Sequence, residues 1–207
     1  MNYLTVESTT VTSEIKRSEF ITEIRRVTSE EELFAELGIL RKKYADATHI
    51  CYGAIFDKTG NSARFSDDGE PSGTAGAPIM DALKNSGLKE TLVAVVRYFG
   101  GIKLGAGGLV RAYSQSASEG LRQANKIECN LCDIYLLEMD FSRAKKAPVF
   151  FEKNEIEVAG VEYSDKVTFT LAVAKDRVID ELIAQFLAGK PNLDKIETRY
   201  LEKKINS

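Results

Sequence analysis

Hydrophobic and polar positions along the chain fall into two successive patterns, each mixing short strands with helices. In the first, Phe20-Ile21-Thr22-Glu23-Ile24-Arg25-Arg26-Val27 reads as a strand behind an extended opening rich in Thr, Ser and Val. Leu33, Leu37, Leu40 and Tyr44 then recur at helical spacing. Ser29, with Glu32 three residues on, predicts a capping box in which Glu32 returns to the Ser29 amide, and Arg41, Lys42 and Lys43 suit the negative end of the helix dipole. Residues 48–56 read as a strand, with Ile50, Tyr52, Ala54 and Phe56 alternating. A stretch dense in turn formers, residues 64–78, leads into a short helix ending near Gly87. The apolar run within residues 92–99 predicts a buried strand, and a helix over residues 109–124 follows a glycine loop.

The second pattern opens at about Asp133. Residues 134–139 read as a strand, and the helix after it is placed to start at Pro148, because proline suits a first helical position and breaks an interior. Residues 156–163 and 167–174 form a hairpin around Ser164-Asp165. Asp176 is the expected cap of a helix that stops at Gly189-Lys190-Pro191, and residues 196–201 make the last strand. The order β-α-β-β-α-β is that of a ferredoxin-like domain. The expected organisation is therefore α+β in two domains, residues 1–130 and 133–207.

Composition narrows the classes of function. With 207 residues, 43% of them hydrophobic and 29% charged, the chain has the make-up of a globular protein. A net charge of −3 supplies no overall attraction for nucleic acid or membranes, so any polyanion site is a local patch. No apolar run approaches a membrane span, and the first twenty residues carry Glu7, Glu14 and Glu19 without an apolar signal core. Three cysteines make no disulfide framework, which points to the cytoplasm.

Two segments carry the candidate chemistry. Residues 97–111 run from a strand through five glycines in nine positions (Gly100, Gly101, Gly105, Gly107, Gly108) into a helix, with Arg97, Lys103 and Arg111 alongside. Bare amides at a helix N-terminus suit an anion, because a phosphate approaches closely where no Cβ intervenes. The named phosphate fingerprints fail: Walker A needs Gly-Lys where Gly105 is followed by Ala106, and a dinucleotide fingerprint begun at Gly105 meets Val110 in place of its third glycine. The plainer reading is a tight turn with close helix–sheet packing. In the second segment, Asp67, Asp68 and Glu70 suit three roles: satisfying turn amides, pairing with Arg97 or Arg111 across a cleft, or holding Mg²⁺. Between residues 97 and 126 five Lys/Arg residues face the single acid Glu119, a patch compatible with RNA or a ribosome and equally with a solvated helix face.

Other constellations are weaker. His49 is the only histidine, so base or triad chemistry would run through it with Ser66, Ser72 or Ser114, yet no G-x-S-x-G elbow is present. Cys129 and Cys132 form a lone C-x-x-C, and a zinc site would have to recruit His49 and Cys51; two ordinary cysteines are the simpler account.

Residues 66–76 (Ser-Asp-Asp-Gly-Glu-Pro-Ser-Gly-Thr-Ala-Gly), the run from Arg97-Tyr98-Phe99-Gly100-Gly101 to Leu109-Val110-Arg111-Ala112-Tyr113, and Ala47-Thr48-His49 with Tyr52 together resemble the signatures of the Impact/YigZ family. The likeness extends over most of residues 16–124, and the second half resembles the small C-terminal domain of bacterial members, with Pro148 as a local departure. The resemblance implies an N-terminal α/β sandwich like a small-subunit ribosomal protein and domain IV of elongation factor G. It also implies translational control under stress, since eukaryotic relatives bind a regulator of an initiation-factor kinase and ribosomes. The leading expectation is a non-enzymatic, translation-linked protein binding an anionic, RNA-like or ribosome-associated partner, with no membrane and no cofactor. Its expected site comprises Arg97, Lys103, Arg111, His49 and the glycine amides, with Asp67, Asp68 and Glu70 on the opposite wall. The alternative is a Mg²⁺-dependent phosphotransferase or nucleotide hydrolase using the glycine loop.

Overall fold

The computed structural model describes residues 1–205. The chain divides into two compact units, one of Tyr3–Glu128 with residues 203–205, the other of Cys129–Glu202 with Met1–Asn2.

The first unit contains β1 (Tyr3–Val6), β2 (Thr9–Ile15), β3 (Ser18–Arg26), α1 (Glu30–Lys43), β4 (His49–Ile55), β5 (Ala63–Ser66), α2 (Gly76–Ser86), β6 (Thr91–Tyr98) and α3 (Ala106–Gln123). Its sheet runs in the order β2-β3-β6-β4-β5, with antiparallel neighbours throughout. Alternation along β6 shows why this sheet is covered on both faces. Leu92, Ala94 and Val96 pack with Leu33 and Leu40 of α1, whereas Val93 and Val95 pack with Ile79 and Leu83 of α2 and Tyr113 and Ala117 of α3. β4 is also buried on both faces, since Cys51 and Ile55 lie against the α2–α3 side and Ile50 and Ala54 against α1. The strand read from residues 48–56 is present, and the positions between its alternating residues pack as well, because Cys51, Gly53 and Ile55 are small or apolar.

Other boundaries moved for local reasons. Ser29 caps α1, accepting a hydrogen bond from the Glu32 amide at 3.2 Å, but the Glu32 carboxylate accepts from the Thr28 amide (2.7 Å) and hydroxyl (2.8 Å) instead of the Ser29 amide. α3 begins at Ala106, three residues before the expected start. Gly107 and Gly108 have poor helix propensity, which the first turn tolerates because the rest of the helix is anchored by Leu109, Tyr113 and Ala117. β5 was hidden inside the turn-rich stretch.

The second unit builds on β7 (Lys126–Met139), which enters it from the first, followed by α4 (Phe141–Ala144), α5 (Ala147–Lys153), β8 (Glu157–Tyr163), β9 (Val167–Ala174), α6 (Asp180–Leu187) and β10 (Asn192–Ile205). β10, β7, β9 and β8 lie side by side in that order, the 4-1-3-2 arrangement that a ferredoxin-like β-α-β-β-α-β chain gives. Pro148 does sit in the first turn of α5. Asp176 does not cap α6: it adopts a left-handed φ of 65° in the turn before the helix, and Ile179 occupies the cap position. Among the described residues, no helix is long and apolar enough to cross a membrane.

Candidate functional site

The parity that places Val93 and Val95 against α2 and α3 places Arg97 on the same face, at the end of β6. Across the sheet, Arg97 is in register with Phe20 on β3 and His49 on β4. These three side chains form a row where the sheet meets the N-terminus of α3. There the chain encloses a cleft of about 430 Å³, lined by Thr48, His49, Glu70, Pro71, Arg97, Phe99, Lys103, Leu104, Gly105, Ala106 and Leu109.

Arg97 is only 6% exposed. Its Nη1 donates to Glu70 Oε1 at 2.5 Å, and the same oxygen accepts from the Tyr113 hydroxyl at 2.8 Å. The guanidinium also lies 5.7 Å from the Phe20 ring centroid and 5.6 Å from that of Phe99. Nε has no hydrogen-bond partner among the described residues although it is buried, and Nη2 makes no hydrogen bond either. A buried donor without a partner costs about 1–3 kcal/mol; Nε is closed off by the protein, which leaves Nη2 as the edge of Arg97 open to the cleft.

His49 Nδ1 lies 2.8 Å from the Asp68 carbonyl oxygen. A carbonyl only accepts, so Nδ1 carries the proton and Nε2 stands 4.0 Å from Glu70 Oε1, beyond hydrogen-bonding reach. None of Ser66, Ser72 and Ser114 lines the cleft. The histidine is therefore a wall of the site, with none of those three serines in the cleft beside it.

α3 meets the cleft uncapped. Gly105 at the cap position makes no side-chain hydrogen bond, no acid stands in the first turn, and Gly105 and Ala106 face the cleft. The first four amides of a helix lack intrahelical acceptors and carry its positive end. Lys103 adds an exposed ammonium with no acidic partner among the described residues.

The acidic loop divides its labour differently from expectation. Glu70 pairs with Arg97, as a cross-cleft ion pair requires. Asp67 is a brace: its Oδ1 accepts from the amides of Ala75 (2.9 Å) and Gly76 (2.8 Å), and its Oδ2 from Gly73 (2.9 Å). Burial works to raise the Asp67 carboxyl, but the amides of Gly73, Gly76 and Ala75 hold it below the usual carboxylate range. Asp68 pairs with Arg41 and accepts from the Ile50 amide at 2.6 Å, so that its carboxyl too is lowered against the opposing effect of burial. Each of the three carboxylates thus has its own protein partners and its own direction. That donor set does not fit a Mg²⁺ ion, and no group of three or more His, Cys, Asp or Glu among the described residues is placed to hold a metal.

The glycine loop contributes to the cleft only in part. Arg111 is exposed on α3 and lies outside the cleft, as do Gly100, Gly101, Gly107 and Gly108. Gly100 is there for packing: its amide donates to Ser18 Oγ at 3.3 Å, and a Cβ would fall 1.8 Å from the Arg17 carbonyl oxygen. Gly105 is required by a φ of 71°. Phe99, Leu104 and Ala106 were not singled out from sequence, although the exposure of Phe99 follows from its place after the strand. Cys129 and Cys132 stand three apart on β7 and so point to opposite faces, and burial pushes the Cys51 thiol up to about 12, which leaves it inert.

Residues 16–121, a stretch holding every residue that lines the cleft, match the Impact N-terminal domain. The chain belongs to the Impact family. The Impact family member YvyE of Bacillus subtilis is 36% identical over 93% of this chain and 89% of its own length. The family member YigZ of Escherichia coli is 33% identical, covering 91% of this chain and 94% of YigZ. A solved crystal structure of a hypothetical protein superposes with a TM-score of 0.61 at 31% identity, covering 95% of this chain and 98% of the other. Impact-family membership thus extends across both units, whereas the cleft lies within the N-terminal domain alone.

Proposed function

We propose that this Impact-family chain is a non-enzymatic binding protein linked to translation, and that its cleft at the head of α3 takes an anionic, RNA-like segment of its partner. The observation that carries the reading is that unused donors line one cleft: Arg97 Nη2, the uncapped head of α3 at Gly105 and Ala106, and Lys103, which has no acidic partner among the described residues. Helix N-termini and cations favour the same ligand charge, and Glu70 offsets only the one charge of Arg97. The translational context rests on the family, whose eukaryotic members act in translational control, and the partner is accordingly RNA, a ribosome or a ribosome-associated protein.

Lys103 is the residue to change, because it is exposed and makes no structural contact that its loss would disturb. Co-sedimentation with ribosomes and with RNA at low salt is expected to show binding by the wild type and weaker binding by Lys103→Ala. The salt dependence should flatten as well, by a slope of about 0.7 for one phosphate contact to a single strand. Absence of binding by the wild type, or an unchanged slope in the variant, would refute the reading.

A further inference from the structure

We infer that the group this cleft recognises is a nucleoside 5′-phosphate, either a free nucleotide or the 5′-phosphorylated end of a single strand. The inference rests on the anion-binding reading above and narrows it. Three features of the cleft lead to it.

The first is the number and placement of donors. An internal phosphodiester offers two non-bridging oxygens, whereas a terminal phosphate offers three and carries more negative charge. The bare turn at Gly105 and Ala106, Lys103 and the unpartnered Nη2 of Arg97 line one cleft, and the third oxygen and extra charge of a terminal phosphate suit them better than a diester does. Arg97 is the independent witness to a ligand here, being 6% exposed with Nη2 unpartnered among the described residues while it lines the cleft.

The second is the aromatic platform. Phe99 is 50% exposed and lines the cleft, with the Arg97 guanidinium 5.6 Å from its ring centroid. An arginine on one side and an open side toward solvent is the arrangement on which a base stacks. An exposed phenylalanine beside a phosphate-type subsite has no part in binding a bare inorganic anion.

The third is size. About 430 Å³ lies at the small end of ligand pockets, enough for one nucleoside with its phosphate and too little for a duplex. Leu104, Leu109 and Pro71 supply the apolar walls for the sugar and base. Thr48 and His49 Nε2, which no hydrogen bond occupies among the described residues, supply polar contacts at the rim.

The test is a set of equilibrium titrations of the full chain at low salt. The probes are AMP, adenosine, inorganic phosphate, and triadenylate with a 5′-phosphate or a 5′-hydroxyl. The phosphorylated trimer should bind at least about tenfold tighter than its hydroxyl counterpart, and AMP tighter than adenosine or inorganic phosphate. Phe99→Ala should weaken AMP by about tenfold, the loss of one stacked base, while leaving inorganic phosphate unchanged. AMP equal to the phosphorylated trimer identifies a free nucleotide as the natural ligand, and a tighter trimer identifies a strand end. Equal binding of the two trimers, with both weakened by Lys103→Ala, overturns the 5′-phosphate and leaves the anion-binding reading standing. Inorganic phosphate binding as tightly as AMP overturns the nucleoside. If none of the five probes binds and RNA co-sedimentation fails too, both readings fall.

Discussion

Arg97 and Glu70 form a buried charged pair on the wall of the proposed site. Breaking a buried pair by removing one partner costs about 3–5 kcal/mol, because the other charge stays behind without compensation. Arg97→Ala is therefore expected to lower stability by that order in chemical denaturation, and a loss of binding in that variant would say little about the ligand. Asp57 offers a second test at this scale. Burial acts to raise its carboxyl, but hydrogen bonds from Ser62, Gly60 and Thr59 bring it down to about 2 from 3.8. A lowered native pKa means the stabilisation is present above pH 4 and is lost as pH falls through about 2. Asp57→Asn should thus lower stability at pH 7 and flatten the decline between pH 4 and pH 2 in acid unfolding curves; an unchanged acid limb would refute the loop-bracing role. How far such residues are legible from sequence varies. Arg97 was readable as a candidate because it ends a strand and precedes glycines, and the parity of β6 even fixes its face. Its pairing with Glu70 rather than Asp67 or Asp68 was not, since three neighbouring acids differ only in the direction that two left-handed residues, Asp68 (φ 41°) and Gly69 (φ 85°), impose on the turn.

Elements were easier to read where a period and a cap agreed. α1 emerged within a residue of its bounds because Ser29 and the leucine spacing say the same thing. Removing that cap, Ser29→Ala, should cost about 1 kcal/mol in urea denaturation, with an unchanged slope; a neutral result would mean that the Glu32–Thr28 contact alone holds the turn. α3 was misread at its start because helix propensity penalises Gly107 and Gly108, while tertiary burial of the residues after them decides the matter. β5 was missed since Ala63-Arg64-Phe65-Ser66 is an edge strand whose pairing with β4 supplies what its sequence lacks. Asp176 looked like a cap because Asp is common there, yet the same residue type also tolerates the left-handed turn it actually makes.

At the scale of the whole molecule, the net charge of −3 and the proposed anion site are compatible because the site is local. One helix end and one lysine act across a few ångströms, well within a screening length of about 8 Å at physiological salt. The two-unit α+β order was legible because β-α-β-β-α-β and the preceding glycine-rich segment have distinct rhythms. The cleft itself was only half legible: Pro71, Phe99, Leu104 and Leu109 lie inside the two segments marked by their charges and glycines, but nothing in their spacing shows that they face one another. The central claim, that the head of α3 is kept bare for a ligand, is tested most directly by Ala106→Asp. An acid in the first helical turn complements the dipole and should leave stability unchanged or raise it by about 0.3–1 kcal/mol. Measured together by thermal denaturation and by RNA binding at low salt, the variant should be at least as stable as the wild type and bind at least about tenfold more weakly. Wild-type affinity in a stable Ala106→Asp protein would contradict the account.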